Sequence, residues 1–261
     1  MQAFAYEKPA SLADAARAAA VDGAKLIAGG QSLLASMKLG LAAPEALVDL
    51  GQIADLKGIT VSGGTVKIGA MTTHAAVAAN KDVQAAIPAL ADLAGNIGDR
   101  QVRNRGTIGG SLANNDPAAC YPAAALGLGA TIHTDRRSIA ADDFFKGLYE
   151  TALAEGEVIT AVSFPVPEKA GWQKFKQPAS RFSIVGVFVS KGPSGVRVAV
   201  TGAGASVFRA GTLEAKLAGS WSADALKGAT VSADGLNTDL HGSAEYRAAL
   251  IPVLAGRAVA G

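Results

Sequence analysis

The chain has 261 residues, 49% of them hydrophobic and 18% charged, with a formal net charge of +2. That length fills one large or two modest domains, and the balance supports a buried core and excludes global disorder. The small net charge excludes a nucleic-acid footprint, since the tightest basic group is only Arg100, Arg103 and Arg105. Cys120 is the single cysteine, which excludes an internal disulfide and any iron–sulfur cluster or cysteine-based zinc site held by this chain alone. His74, His133 and His241 stand far apart, without metal-ligand spacing. The start MQAFAYEKPA lacks a basic segment followed by an apolar run, so a cytoplasmic location without a secretory signal is expected. No run of eighteen apolar residues suggests a membrane span.

In chain order, residues 1–58 read as strand, helix, strand, helix, strand. Ser11 is an N-cap with Asp14 three residues on, and Ala13 to Ala20 favour helix until Gly23 ends it. Lys25–Ala28 is a short strand, Gly29-Gly30 breaks it, and Ser32–Leu39 resumes as helix. Leu47–Leu50 is a further strand. Ile59–Val61 and Val66–Ile68 flank Ser62-Gly63-Gly64-Thr65, a hairpin signal. Thr73–Asn80 and Ile87–Ala94 read as helices, with a polar, glycine-bearing segment at Gly95–Gly110. Residues 118–130 look buried, Ala130–His133 is a strand, Ile139–Phe145 leads into a loop or helix, and Val158–Phe164 is a strand. Pro165–Gly171 is the best domain boundary. Beyond it Gln173–Gln177, Ile184–Ser190 and Val196–Thr201 are spaced for an antiparallel sheet. Residues 207–233 carry helix and turn signals, and Ser243–Ala255 is a terminal helix interrupted near Pro252.

Two diglycine segments carry the chemistry. Lys25 to Leu34 is a strand, Gly29-Gly30, then a helix start at Ser32. Glycine permits close backbone approach to a ligand, and free N–H groups at a helix start suit phosphate oxygens. A plain strand-to-helix turn is the alternative. The second segment is Gly106-Thr107-Ile108-Gly109-Gly110-Ser111-Leu112-Ala113-Asn114-Asn115-Asp116-Pro117. Its Thr107, Ser111 and Asn114 side chains can reach phosphate or ribose oxygens, or else cap the segment's own backbone. No P-loop exists, and Gly202-Ala203-Gly204 has Val207 where a third Rossmann glycine would stand. There is no Gly-x-Ser-x-Gly elbow. Cys120 reads as a buried structural thiol and His74 as a helix-start or packing residue.

The two segments together, with Ile68-Gly69-Ala70-Met71-Thr72-Thr73-His74, Gln101 to Arg105, Asp116-Pro117-Ala118-Ala119 and Phe175-Lys176-Gln177, resemble one family. The chain is similar to the medium, FAD-binding subunit of the xanthine dehydrogenase and carbon monoxide dehydrogenase group of molybdenum hydroxylases, closely from about residue 3 to 210. The resemblance implies an α+β fold of the vanillyl-alcohol-oxidase (PCMH) type: an FAD-binding domain over residues 1–167, with α/β subdomains at about 1–58 and 59–167. A C-terminal domain over 168–261, with a three-stranded antiparallel sheet and helices, would close over the FAD. It assigns FAD contacts to Ile27, Ala28, Gly29, Gly30, Gln31, Ser32, Leu33 and Leu34 in the first segment. Thr107, Gly109, Gly110, Ser111 and Asn114 follow in the second, with apolar contacts at Ile97 and Ile159 and a lysine contact at Lys176. Cys120 stands where the family usually has a cofactor-bonding aspartate, a contact then weakened or taken over by Asp116. Phe182 stands where some members present a tyrosine.

By that resemblance the chain is an electron-transfer subunit without a catalytic acid or base of its own. A large subunit would carry the molybdenum cofactor, a small subunit two [2Fe–2S] clusters, and the whole would be a dimer of heterotrimers. The alternatives are a free-standing flavin oxidase or dehydrogenase, for which no local acid–base pair is evident, and a nucleotide-binding assembly module without redox function.

Overall fold

The computed structural model describes residues 2–261. The N-terminal strand–helix alternation forms β1 (Ala5–Glu7), α1 (Leu12–Ala19), β2 (Ala24–Ile27), α2 (Leu33–Lys38) and β3 (Ala46–Asp49). Ser11 caps α1 by accepting from Asp14 N, as the sequence predicts. The strands make a parallel three-stranded sheet in the order β1-β3-β2. Its core is Ala15, Val48, Leu50, Ile53 and Leu56, joined by Met71 and Val158 from elsewhere in the chain.

β4 (Ile59–Ser62) and β5 (Thr65–Gly69) form the expected hairpin. Three helices follow: α3 (His74–Ala79), α4 (Lys81–Ala86) and α5 (Pro88–Gly95). The polar, glycine-bearing segment up to Gly110 holds α6 (Arg100–Arg105) and the start of α7 (Ile108–Asn114). Asp99 caps α6 through Val102 N and Thr107 caps α7 through Gly110 N. Those caps outweigh the poor helix propensity of Gly109 and Gly110. Next come α8 (Tyr121–Leu128), β6 (Thr131–Thr134), β7 (Ser138–Ala140), α9 (Ala141–Phe144), the short hairpin β8 (Phe145–Gly147) and β9 (Glu150–Thr151), and β10 (Ile159–Pro165). These close an antiparallel five-stranded sheet, β4-β5-β10-β6-β7. α8 is buried along its whole length, which its Ala, Gly and Leu content permits.

Beyond Pro165 the chain forms β11 (Lys169–Lys176), β12 (Ser183–Gly192), β13 (Gly195–Thr201), β14 (Phe208–Arg209), α10 (Gly211–Gly219) and α11 (Ala244–Ala260). The sheet is antiparallel as expected, but has four strands, because Phe208 and Arg209 pair with Val200 and Ala199. α11 also runs on through Pro252 rather than breaking there. Its buried Ile251, Leu254, Ala255 and Ala258 pack on the sheet, and that burial offsets the lost hydrogen bond.

Polar pins fix these layers around one cavity. Asn115 is fully buried in the left-handed region (φ +41°), and its Nδ2 donates to Gly147 O and Glu150 O, 2.8 Å each. The Thr201 hydroxyl lies 2.8 Å from Pro117 O and 2.7 Å from Ala119 O, and Gly202 N donates to Pro117 O at 2.7 Å. The last sheet is thereby seated on the segment from Asp116 to Cys120. The buried Glu157 carboxylate accepts from Arg137 Nε and Nη2 (2.9 Å each), Thr134 Oγ1 (2.8 Å) and Ala154 N (2.8 Å). Arg137's hydrogen bonds foremost, against the opposing effect of burial and helped by Ala154 and Thr134, hold its pKa down to about 2.

A carboxylate whose folded pKa lies below its unfolded value stabilises the fold above the unfolded value and loses that contribution as pH falls. The melting temperature should therefore fall between the ordinary glutamate range and pH about 2. Glu157→Gln should melt lower at neutral pH and show a flatter profile across that window in thermal denaturation followed by circular dichroism.

Candidate functional site

A cavity of about 800 Å³ opens where the three sheets meet. It receives the bend after β2, the α6–α7 junction, the strap before β10 and the β11–β12 turn. Among the positions expected to contact a cofactor, Ile27 to Leu33, Ile97, Thr107, Gly109, Gly110, Ser111, Asn114, Asp116 and Ile159 all line it. Leu34 and Lys176 are not in its wall. Leu34 packs behind the bend, its Cδ1 only 2.9 Å from where a Gly30 Cβ would lie. Lys176 is exposed, because the β11–β12 register shifts between Phe175 and Lys176. The lysine that reaches the cavity is Lys174, whose Nζ donates to Asn96 O (3.0 Å) and lies 3.3 Å from Cys120 Sγ.

The first bend is built to expose amides. Gly30 sits at φ +73°, where other residues are strained, and Leu34 N closes onto Gly30 O at 3.2 Å. Gln31 Nε2 donates to Gly29 O at 3.0 Å and holds the turn. Among the described residues, the backbone N–H groups of Gly29, Gly30, Gln31, Ser32 and Leu33 meet no protein acceptor. The Ser32 hydroxyl makes no capping bond either.

The second bend behaves differently, because its amides are spent within the protein. Ile108 N donates to Thr72 O (3.1 Å), Gly109 N to Ala70 O (2.8 Å), Gly110 N to Thr107 Oγ1 (3.1 Å) and Ser111 N to Thr107 O (3.0 Å). The physical reason is docking with capping: the start of α7 lies against residues 70–74, whose Thr72 and Ala70 carbonyls take two N–H groups, and Thr107 takes the other two. Glycine is required there for closeness. A Cβ on Gly109 would come within 2.6 Å of Ala70 Cβ, and one on Gly106 within 2.5 Å of His74 Nε2. Gly29 carries the same constraint across the two bends, since its Cβ would lie 2.1 Å from Arg105 O. The second bend therefore offers side chains rather than backbone. Among the described residues Ser111 and Asn114 have no side-chain partner, and the Thr107 hydroxyl keeps its own proton free while accepting from Gly110.

Residues 2–167 match the FAD-binding domain of molybdopterin dehydrogenases. The chain belongs to that family. It is 36% identical to the carbon monoxide dehydrogenase medium chain of Hydrogenophaga pseudoflava, over 98% of this chain and 96% of that one. It is also 36% identical to the nicotine 6-hydroxylase medium subunit of Paenarthrobacter nicotinovorans, over 99% and 97%. Among solved structures it superposes on reconstituted carbon monoxide dehydrogenase from Oligotropha carboxidovorans with a TM-score of 0.90 at 33% identity, covering 99% of this chain and 97% of that one. As a medium subunit of such molybdenum hydroxylases, the chain is an FAD-binding oxidoreductase component, and its cavity suits the cofactor. Unused amides and hydroxyls match an anionic diphosphate and its sugar oxygens, while Ile97, Leu153, Val158 and Ile159 provide apolar wall for rings.

Several wall residues escaped the sequence reading. Lys174 was legible in principle from β alternation with buried Trp172, but the bulge after Phe175 was not. Cys120 is 4% exposed and lies 3.8 Å from Ser183 Oγ. It faces Lys174, so a sulfur stands beside the Lys174 nitrogen where the family resemblance places an aspartate. Asp116 does reach the cavity, but its Oδ1 already accepts from Ala118 N at 2.8 Å. Phe182 is half-exposed at the mouth, on a turn in which Arg181 takes φ +62°.

Because the Gly29 contact is backbone on backbone, Gly29→Ala should destabilise the chain by about 1–3 kcal/mol, the cost of overpacking, and abolish tight FAD binding. Gly219→Ala, where an added methyl meets nothing within 4 Å, should leave both unchanged. Urea unfolding and FAD titration of the pair check this.

Proposed function

We propose that this chain is the flavin subunit of a cytoplasmic, heteromeric molybdenum hydroxylase, taking electrons singly from two [2Fe–2S] clusters on a small subunit and passing them in pairs to an external acceptor. The organic substrate would be oxidised on a large subunit that carries the molybdenum cofactor, and the assembly would be a dimer of heterotrimers. The observation that carries the reading is the set of unused amides from Gly29 to Leu33, facing the unused side chains of Ser111 and Asn114 across one cavity. The relatives of known name, including the medium chain of carbon monoxide dehydrogenase, support it. So do the solved carbon monoxide dehydrogenase structures on which the chain superposes.

The residues divide the task as follows. The Gly29–Leu33 amides hold the diphosphate, as backbone N–H groups at a helix start do. Ser32, Thr107, Ser111 and Asn114 bond the phosphate and sugar oxygens. Ile27, Ile97 and Ile159 pack on the rings, and Ala28, Gly109 and Gly110 keep the floor low enough for close approach. Lys174 makes the lysine contact assigned by the resemblance to Lys176, and Asp116 keeps a carboxylate oxygen available in place of the missing aspartate at Cys120. Bound FAD supplies the exchange between single and paired electrons; the protein supplies position and electrostatics. The breaks between sheets support division into an FAD-binding domain (1–167, subdomains about 1–58 and 59–167) and a C-terminal domain (168–261).

Purified with its partner chains, the protein should carry one FAD per copy, read from its visible absorbance after extraction. A complex without stoichiometric FAD would defeat the reading. Ser111→Ala, which removes one bond to a charged group, should weaken FAD binding about tenfold without changing the melting temperature of the free chain.

A further inference from the structure

His74 opens α3 and is 5% exposed, yet it lines the cavity. Its backbone is fully engaged: His74 N donates to Gly106 O at 3.0 Å, and Thr73 caps the helix through Ala76 N. Its imidazole is not. Nδ1 is buried without a partner, and the ring lies tilted against Tyr121 with centroids 5.3 Å apart. Nε2 also meets no protein partner, but it keeps accessible surface beside Gly106, where the absence of a side chain leaves it uncovered. Any Cβ at Gly106 would stand 2.5 Å from this nitrogen and shut it off.

A buried histidine without a protein partner is costly as packing alone, because the hydrogen bond that Nδ1 loses to water goes unreplaced. The tautomer follows from the same cost. A neutral ring carries its proton on one nitrogen, and an orphaned buried donor is the rarer and more expensive defect, so the proton belongs on the nitrogen that reaches the cavity. The ring is neutral: burial first, then the nearby positive charge of Arg103, holds its pKa down to about 4. Gly106 is also the residue against which Gly29 packs, so this donor stands at the junction of the two bends.

We propose that His74 is a cofactor-positioning residue, whose neutral Nε2–H donates a hydrogen bond to an oxygen of FAD bound in this cavity. The inference rests on the FAD reading above and adds an imidazole donor to it.

The test uses the full chain and FAD itself. His74→Gln, whose side-chain amide reaches the place of Nε2, should keep binding within about threefold of the unaltered chain. His74→Asn, whose shorter amide reaches only the place of Nδ1, should lose about tenfold, the effect of one hydrogen bond. Because either variant can perturb the buried helix start, ¹⁵N-labelled histidine in the unaltered chain gives the second reading. It should show an Nε2–H tautomer whose proton moves downfield and exchanges more slowly when FAD saturates the site. An Nδ1–H tautomer, ring signals indifferent to FAD, or Asn binding as well as Gln would overturn the proposal. Failure of the unaltered chain to bind FAD would overturn the underlying reading as well, and is distinguished by appearing before any substitution is made.

Discussion

The site depends on one contact between backbones. Gly29, just after β2, lies so close to the Arg105–Gly106 peptide that no Cβ fits between them. That contact joins the parallel N-terminal sheet to the helical layer over the five-stranded sheet. It sets how near the two bends approach and hence the width of the cavity floor. Van der Waals repulsion rises too steeply for either side to yield, so the glycine is demanded by tertiary apposition rather than by local turn geometry. The same logic repeats around it, with Gly106 on His74 and Gly109 on Ala70.

The two glycine-rich bends look alike but do unlike things. The first leaves its amides unpaired because β2 ends there and α2 begins only at Leu33. The second donates its amides to the carbonyls of Ala70 and Thr72 and to its own Thr107 cap. An anion held at this junction is therefore met by backbone dipoles from one side and by hydroxyl and amide side chains from the other. Preorganised dipoles of this kind stabilise charge without the desolvation penalty of a buried ion pair. The cations nearby are drawn elsewhere: Arg103 Nη1 donates to Ile97 O and Gly98 O, and Arg181 Nη1 to Gly98 O.

The last sheet is held both by an apolar seam, in which Trp172, Phe188 and Ala199 join the main core, and by hydrogen bonds beside the site. Thr201 and Gly202 hold the carbonyls of Pro117 and Ala119, which places Lys174 over Cys120 and leaves Phe182 at the mouth. The relative placement of Lys174 and Lys176 shows how a small irregularity redirects function. Both lie on one strand two residues apart, and strict alternation would put them on one face. The bulge after Phe175 separates them, and only Lys174 enters the cavity. A bulge has no dependable signal in a single sequence, because it is set by the strands on either side.

Local chemistry written in the chain was enough to determine much of this protein. The caps at Ser11 and Thr73, the Gly63-Gly64 hairpin, the three long strands after Pro165 and the positions of both diglycine bends follow from φ preferences and short-range hydrogen bonding. The family is legible for the same reason, since its motifs are the bends themselves. Tertiary structure alone decided which amides stay free, that Pro252 is carried inside a packed helix, and that Lys174, Cys120 and His74 line one cavity. Each of those depends on partners tens of residues distant, whose burial and hydrogen bonds override the local preference, and no window along the chain contains both halves of such a contact.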